Sequence, residues 1–269
     1  VIAIALLADA SGETIERTGT TTFRPPYTPI PIAAIGSSGK DKGFAPERLT
    51  TTHATSMKLA APMVEAGLWY RPSYYPKLGE CGWLQSCNRE VLSVRQNVGI
   101  CDVSTLGKIE LHGKDAAQFL DFVYANSFSS LAVGRVRYGL MLREDGFVMD
   151  DGTSARISEN SYLMTTTTAA AGSVMRHLDF VHQAYLPELN VKFVSVTEQW
   201  AQFAVSGPKS VDIISSIMDG PFNEKDWPFM ACGEVKVVGI KARLFRISFS
   251  GELGFELAIP SRFGSSLFN

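Results

Sequence analysis

Two acidic stretches carry the residues best suited to chemistry. In "EDGFVMDDGT", Asp150 and Asp151 follow an apolar strand pattern; in "FSGELGFEL", Glu252 and Glu256 lie in an apolar stretch broken by Gly251 and Gly254. A carboxylate drawn out of water beside an amine substrate acts as a hydrogen-bond acceptor or a proton carrier. Side chains alternate along a strand, so one aspartate shares the face of Phe147 and Met149, and parity makes it Asp151, the one expected to turn inward. Two aspartates that merely end a strand and cap a turn fit the same pattern. In the second stretch a bend at "GELG" leaves Glu252 at the turn and returns Glu256 to a strand, facing opposite to Phe255 and Leu257. Two solvated edge charges fit that pattern as well.

Other chemistries find less support. No GxGxxG opens a strand-helix unit, and Ser248 and Ser250 lie outside any GxSxG context, which argues against a dinucleotide site and against hydrolase chemistry. Cys81, Cys87, Cys101 and Cys232 form no CxxC pair and have no histidine at ligand spacing, so no metal site is expected. Unpaired thiols suit a reducing, cytoplasmic setting. His53, His112, His177 and His182 are scattered and read as surface or packing residues. With 269 residues, 45% of them hydrophobic and 19% charged, and a net charge of -2, the chain is an ordinary globular protein without the basic surface that nucleic acid requires. The apolar run Val1 to Ala8 covers eight residues. A membrane-spanning helix needs roughly 20, so no membrane partner is expected. Both ends read as cut from something longer.

These residues need a scaffold. Residues 1–45 read as an incoming helix, a turn at Gly12 and a proline-rich strap from Arg24 to Pro29; residues 46–87, with the aromatic "WYRPSYYP", read as an irregular connection. Regular structure is expected over 88–269. "NREVLSVRQNVG" spaces Val91, Val94 and Val98 as a helix ending at Gly99, "KIELHG" alternates as a strand, and "KDAAQFLDFVYAN" puts Ala116, Phe119, Leu120 and Val123 on one helical face. "RYGLMLREDGFVMDDGTSARIS" reads as a hairpin turning at Glu144, Asp145 and Gly146. The last threonine of "TTTT" is placed to cap a helix carrying Val174, Leu178 and Val181. "IELHGKDAAQFLDFV" and "FAVSGPKSVDIISSI" echo each other with Gly113 and Gly207 in register. The echo suggests two similar α+β units, each a mostly antiparallel sheet flanked by helices on one side.

The stretches "VGICDVSTLGKIELHGKDAAQFLDFV", "RYGLMLREDGFVMDDG" and "FSGELGFEL" resemble the folate-binding aminomethyltransferases typified by the T-protein of the glycine cleavage system. "GTTTFRPPYTP", "WYRPSYYP", "TTTTAAA" and "TEQWAQFAVSGPK" narrow the resemblance to the alpha subunits of heterotetrameric sarcosine oxidases, collinear from about Val1 to Gly264. The resemblance implies an α+β folate-binding domain over 88–269, preceded by the tail of a dinucleotide-binding half and ending before the barrel domain with which the family continues. Sarcosine would be oxidised at a flavin on a partner beta subunit, in a complex that also holds small subunits. The one-carbon fragment would pass to tetrahydrofolate, giving 5,10-methylenetetrahydrofolate, glycine and hydrogen peroxide. FAD, FMN and NAD belong, on this resemblance, to the larger complex and not to this chain. A plain aminomethyltransferase, a dimethylglycine oxidase or demethylase, and a non-catalytic folate-binding module are the alternatives.

Site residues follow from the resemblance position by position. Asp151 matches the second aspartate of the family's pair, the acid/base group close to the folate nitrogens. Tyr138 matches a tyrosine lining the pterin pocket, and Thr153 a position whose backbone contacts the pterin. Glu256 matches the glutamate that hydrogen-bonds the pterin ring, Phe249 a stacking position, and Glu252 a glutamate of structural role in the "GE" turn.

Overall fold

A computed structural model describes residues 2–19 and 47–269 of the chain. It divides into two compact units at Pro46, the first holding helices α1 (Ile2–Ser11) and α2 (Ile15–Thr18). Gly12 turns the chain between them at φ +68°, and the Thr14 side chain accepts from the Arg17 N–H to cap α2. The proline strap lies outside the described residues.

The second unit, Glu47–Asn269, opens with β1 (Arg48–Leu49), α3 (His53–Lys58), β2 (Met63–Ala66) and β3 (Trp69–Pro72), the strands forming a three-stranded sheet. The stretch expected to be irregular is therefore partly ordered; its anchor is Trp69, buried with the Arg48 guanidinium 4.2 Å over its ring. Helix α4 (Trp83–Gln96) starts earlier than the valine spacing implied and ends before Gly99. Asn97 leaves the helical region, Gly99 already belongs to β4 (Gly99–Asp102), and Val91 is exposed.

Two five-stranded antiparallel sheets follow. The chain runs β5 (Gly107–His112), α5 (Ala116–Val123), β6 (Val136–Leu142), β7 (Val148–Ser158), β8 (Ser161–Thr166), α6 (Ala171–Ala184), β9 (Lys192–Ser195), β10 (Trp200–Ser206), α7 (Ser210–Ile217), β11 (Cys232–Val237), β12 (Ile240–Phe245), β13 (Gly254–Pro260) and α8 (Gly264–Phe268). One sheet has the order β6-β7-β8-β5-β9, the other β11-β12-β13-β10-β4. The orders correspond strand for strand, with one exchange: β4, which leads into β5, pairs with β10, while β9, which leads into β10, pairs with β5. Each half thus lends its leading strand to the other sheet.

The echoed glycines lock this exchange. Gly113 (φ +145°) and Gly207 (φ +128°) sit where an added Cβ would lie 2.0 Å from the Asn190 carbonyl oxygen and 2.5 Å from the Asn97 carbonyl oxygen. Those same carbonyls accept from the backbone N–H of Asp115 and of Lys209. Both asparagines stand two residues before the lent strand, so each bond ties a helix start to its neighbour's strand. Only a glycine permits so close an approach at a positive φ.

Helices cover the outer faces. Ala116, Phe119, Leu120 and Val123 of α5, with Val174, Leu178 and Val181 of α6, pack on Ile109, Leu111, Tyr162 and Met164 of the first sheet. Each fully buried large apolar side chain there contributes about 1.5 to 3 kcal/mol. No threonine caps α6: Ala170 holds the cap position without a side-chain bond, and the Thr168 hydroxyl instead meets that of Thr105 at 3.0 Å. On the other sheet Ile214 of α7 packs on Val205, Leu244 and Phe255. The inner faces meet through Val136, Ala155 and Leu163 on one side and Cys232, Phe245 and Ala258 on the other.

Candidate functional site

The inner faces that meet at this apolar contact carry the acidic residues beyond it. Asp151 and Thr153 have the parity of Ala155 on β7, and Glu256 has that of Ala258 on β13, so both strands turn these groups toward the space between the sheets. On the first sheet a polar row runs across the strands. Lys108 pairs in register with Thr165, the Thr165 hydroxyl lies 2.9 Å from both the Thr153 N and its Oγ1, and Thr153 pairs with Tyr138. The Tyr138 hydroxyl donates to Asp151 Oδ2 at 2.5 Å. That bond, which the phenol must break to ionise, raises the Tyr138 pKa.

Asp150 has the opposite parity. It is buried on the helix side, where its carboxylate accepts from the Thr167 hydroxyl at 2.7 Å and from the Thr167 N–H at 3.2 Å. Burial outweighs these bonds and raises its pKa. Asp151 therefore faces inward between the sheets as expected but is only half-buried, whereas Asp150 is the more deeply buried carboxylate and Phe147, expected to share the face of Asp151, is exposed. An irregularity in the pairing, where Met141 faces Asp150 but Leu142 faces Val148, breaks the alternation that parity assumed.

The facing row on the second sheet is Cys101, Ala204, Glu256, Phe245 and Cys232, each paired with the next across the strands. Glu256 is partly accessible but surrounded by protein on most sides. Burial raises its carboxyl pKa, opposed by the hydrogen bond from Gln202 and by the charge of Lys108. Gln202 Nε2 donates to Glu256 Oε2 at 2.5 Å. The other oxygen, Oε1, accepts no hydrogen bond among the described residues. At one flank Arg243 Nη1 donates to Glu110 Oε1 at 2.7 Å, an ion pair that ties the two sheets together.

Tyr138, Thr153 and Asp151 are therefore together on one wall, and Glu256 stands on the other. The Thr153 N–H and carbonyl oxygen both engage the Thr165 hydroxyl. Phe249 does not join them: it lies on the connection between β12 and β13 and is fully exposed. Glu252 sits at the bend beside Gly251 (φ +83°) and pairs with Arg95 on α4 at 2.7 Å. Lys108 and Gln202 join the site without a motif to mark them. The available signal was their parity: each alternates with apolar neighbours that face a helix layer, so each faces the other way.

These features define a class first. Paired antiparallel sheets with outer helices match the fold of a glycine cleavage system aminomethyltransferase T from Bartonella henselae, with a TM-score of 0.71 at 20% identity, covering 83% of this chain and 56% of that one. The chain belongs to the GCVT N-terminal domain family, which matches residues 52–269, and residues 1–39 match the sarcosine oxidase A3 domain. Among curated proteins it is 51% identical over 269 residues to the sarcosine oxidase subunit alpha of Rhizobium meliloti (strain 1021), covering 99% of this chain and 27% of that protein. It is 45% identical over 267 residues to the sarcosine oxidase subunit alpha of Corynebacterium sp. (strain U-96), covering 98% of this chain and 28% of that protein. The chain thus spans little more than a quarter of the length of these relatives. Among the described residues no helix is long and apolar enough to cross a membrane.

Proposed function

We propose that the chain is the folate-binding, one-carbon-accepting region of a cytoplasmic sarcosine oxidase alpha subunit. The observation that supports this reading is that Asp151 on β7 and Glu256 on β13 both have the parity that faces the space between the two sheets. A pterin edge offers a ring N–H and an amino group, both donors, and a carboxylate with an unused oxygen accepts from such an edge. A charge-assisted pair of this kind contributes about 1.5 to 3 kcal/mol and sets the ring's orientation.

Asp151 has a different task. When a tetrahydrofolate nitrogen attacks the iminium carbon of oxidised sarcosine, a C–N bond forms and the nitrogen becomes a cationic ammonium. Asp151 would stabilise that charge, take the proton and return it to the glycine nitrogen, so that glycine could depart as its amine while the second folate nitrogen bonds to the carbon and gives up its own proton, leaving 5,10-methylenetetrahydrofolate. Tyr138 keeps the accepting carboxylate oriented through its hydroxyl. Oxidation of the amine, with its electrons passed to oxygen to give peroxide, would be the work of a flavin on a partner beta subunit and not of this chain's residues. Phe249 would reach the ring only by movement of its connection.

Calorimetry with 5-formyltetrahydrofolate on the intact protein tests the reading. Glu256→Ala is expected to weaken binding by about 10- to 100-fold, and equal affinities would reject the pocket.

A further inference from the structure

Lys108 is a charge inside the protein that the proposed reaction does not use. Its side chain is fully buried, and Nζ donates to the carbonyl oxygens of Ser104 at 3.1 Å and Leu106 at 3.0 Å. The same turn holds Gln202, whose N–H donates to Ser104 Oγ at 2.9 Å, while Asp102 fixes the turn by accepting from the Ser104 N–H at 2.9 Å. Lys108 and the amide that grips Glu256 are therefore mounted on one short segment.

We propose that Lys108 is a positioning residue: its ammonium is the counter-ion that keeps Glu256 a carboxylate, and so an acceptor for a ligand edge of paired N–H donors. The ligand part of this inference rests on the pterin reading above.

The surroundings single out Glu256. Three carboxylates act on Lys108: Glu256 from β13, Asp102 from β4 and Glu198 from the turn before β10. Asp102 is already held by the Thr52 hydroxyl and the Ser104 N–H, and Glu198 by Arg48. Glu110, next but one on the same strand, is paired with Arg243 and His112. Glu256 has the neutral Gln202 amide, and the buried Lys108 ammonium is tied to Gln202 through Ser104, whose carbonyl takes Nζ and whose hydroxyl takes the Gln202 N–H, which brings its charge to bear on Glu256. Cys101, which also neighbours Glu256, adds no cation: desolvation by the protein around it and the charge of Asp102 raise its thiol pKa. Burial lowers the Lys108 pKa to about 8, which leaves the ammonium protonated at neutral pH. A buried carboxylate without a cation takes up a proton instead of remaining charged.

The test compares the wild type, Lys108→Met and the double variant Lys108→Met/Glu256→Gln in the intact protein. Infrared spectra near neutral pH are expected to show one additional protonated carboxyl in Lys108→Met that is absent from the wild type and from the double variant. By calorimetry with 5-formyltetrahydrofolate, Lys108→Met is expected to bind about tenfold more weakly than wild type near about pH 6.5 and to recover near about pH 8.5. A Lys108→Met protein with no new carboxyl band and the wild-type pH profile overturns the proposal. A new band in a protein whose wild type binds no folate upholds the pairing and removes the pterin reading. If Lys108→Met does not fold, a folded double variant upholds the pairing, and a double variant equally unfolded overturns it.

Discussion

The two five-stranded sheets have the same strand order and the same glycine contact with a borrowed strand, yet their inner faces hold carboxylates in different settings. On the first sheet Asp151 stands in a row of hydroxyls, partly open, bonded to a Tyr138 that is 48% exposed. On the second, Glu256 is hemmed in by protein, gripped by Gln202 and acted on by a buried ammonium. A repeated scaffold therefore does not repeat its chemistry. An open carboxylate exchanges protons with water and suits transfer, whereas an enclosed one exchanges slowly and suits fixed recognition.

The largest expected effect separates those two roles. Asp151→Asn is expected to cut methylenetetrahydrofolate formation in the intact complex by about 100- to 10,000-fold while leaving amine oxidation and folate affinity near wild type. Product yields that stay unchanged would assign transfer elsewhere.

Next comes the element the halves share. Gly113→Ala and Gly207→Ala each force a methyl into a backbone carbonyl at positive φ, and each is expected to destabilise the fold by about 3 kcal/mol in denaturant titration. If one is neutral, the equivalence of the two borrowed-strand contacts fails.

The ion pair joining the sheets is expected to matter somewhat less. Burial raises the Glu110 pKa, but the hydrogen bond and charge of Arg243 outweigh it, and the net shift is downward. A depressed carboxylate stabilises the fold above its unfolded pKa, and that contribution is lost as pH falls through the folded value. Glu110→Gln should thus cost about 2 kcal/mol at neutral pH and little in acid, read from unfolding at the two conditions.

The smallest effect divides the two glutamates of "FSGELGFEL". Glu252→Ala removes an exposed pairing with Arg95, so it is expected to cost about 0.5 kcal/mol and to leave folate binding unchanged. Loss of binding equal to that of Glu256→Ala would erase the distinction.

Much of the scaffold was legible in local pattern. The apolar face of "KDAAQFLDFVYAN", the hairpin around Gly146 and the echo of Gly113 with Gly207 all appear in the structure, because helix amphipathicity, turn chemistry and a required glycine are short-range properties. Where a longer-range feature intervened, the reading failed. The deeper burial of Asp150 follows from the helix layer packed on its face of the sheet, where its partner Met141 also lies, and the helix stops short of Val98 because Gly99 is drawn into a sheet. The segment 46–87 looked irregular because its strands are too short to display a period.

The sequence by itself determined where the strongly patterned helices and the hairpin fall, which of their faces are apolar, and that a glycine-marked unit recurs. Only the tertiary structure decided that each unit gives its leading strand to the other sheet and that the sheets close face to face. Lys108 shows the reason. In "KIELHG" it alternates with apolar residues and, for one sheet alone, belongs on the solvent side; a second sheet, built from residues far along the chain, makes that side an interior and sets Glu256 to act on it.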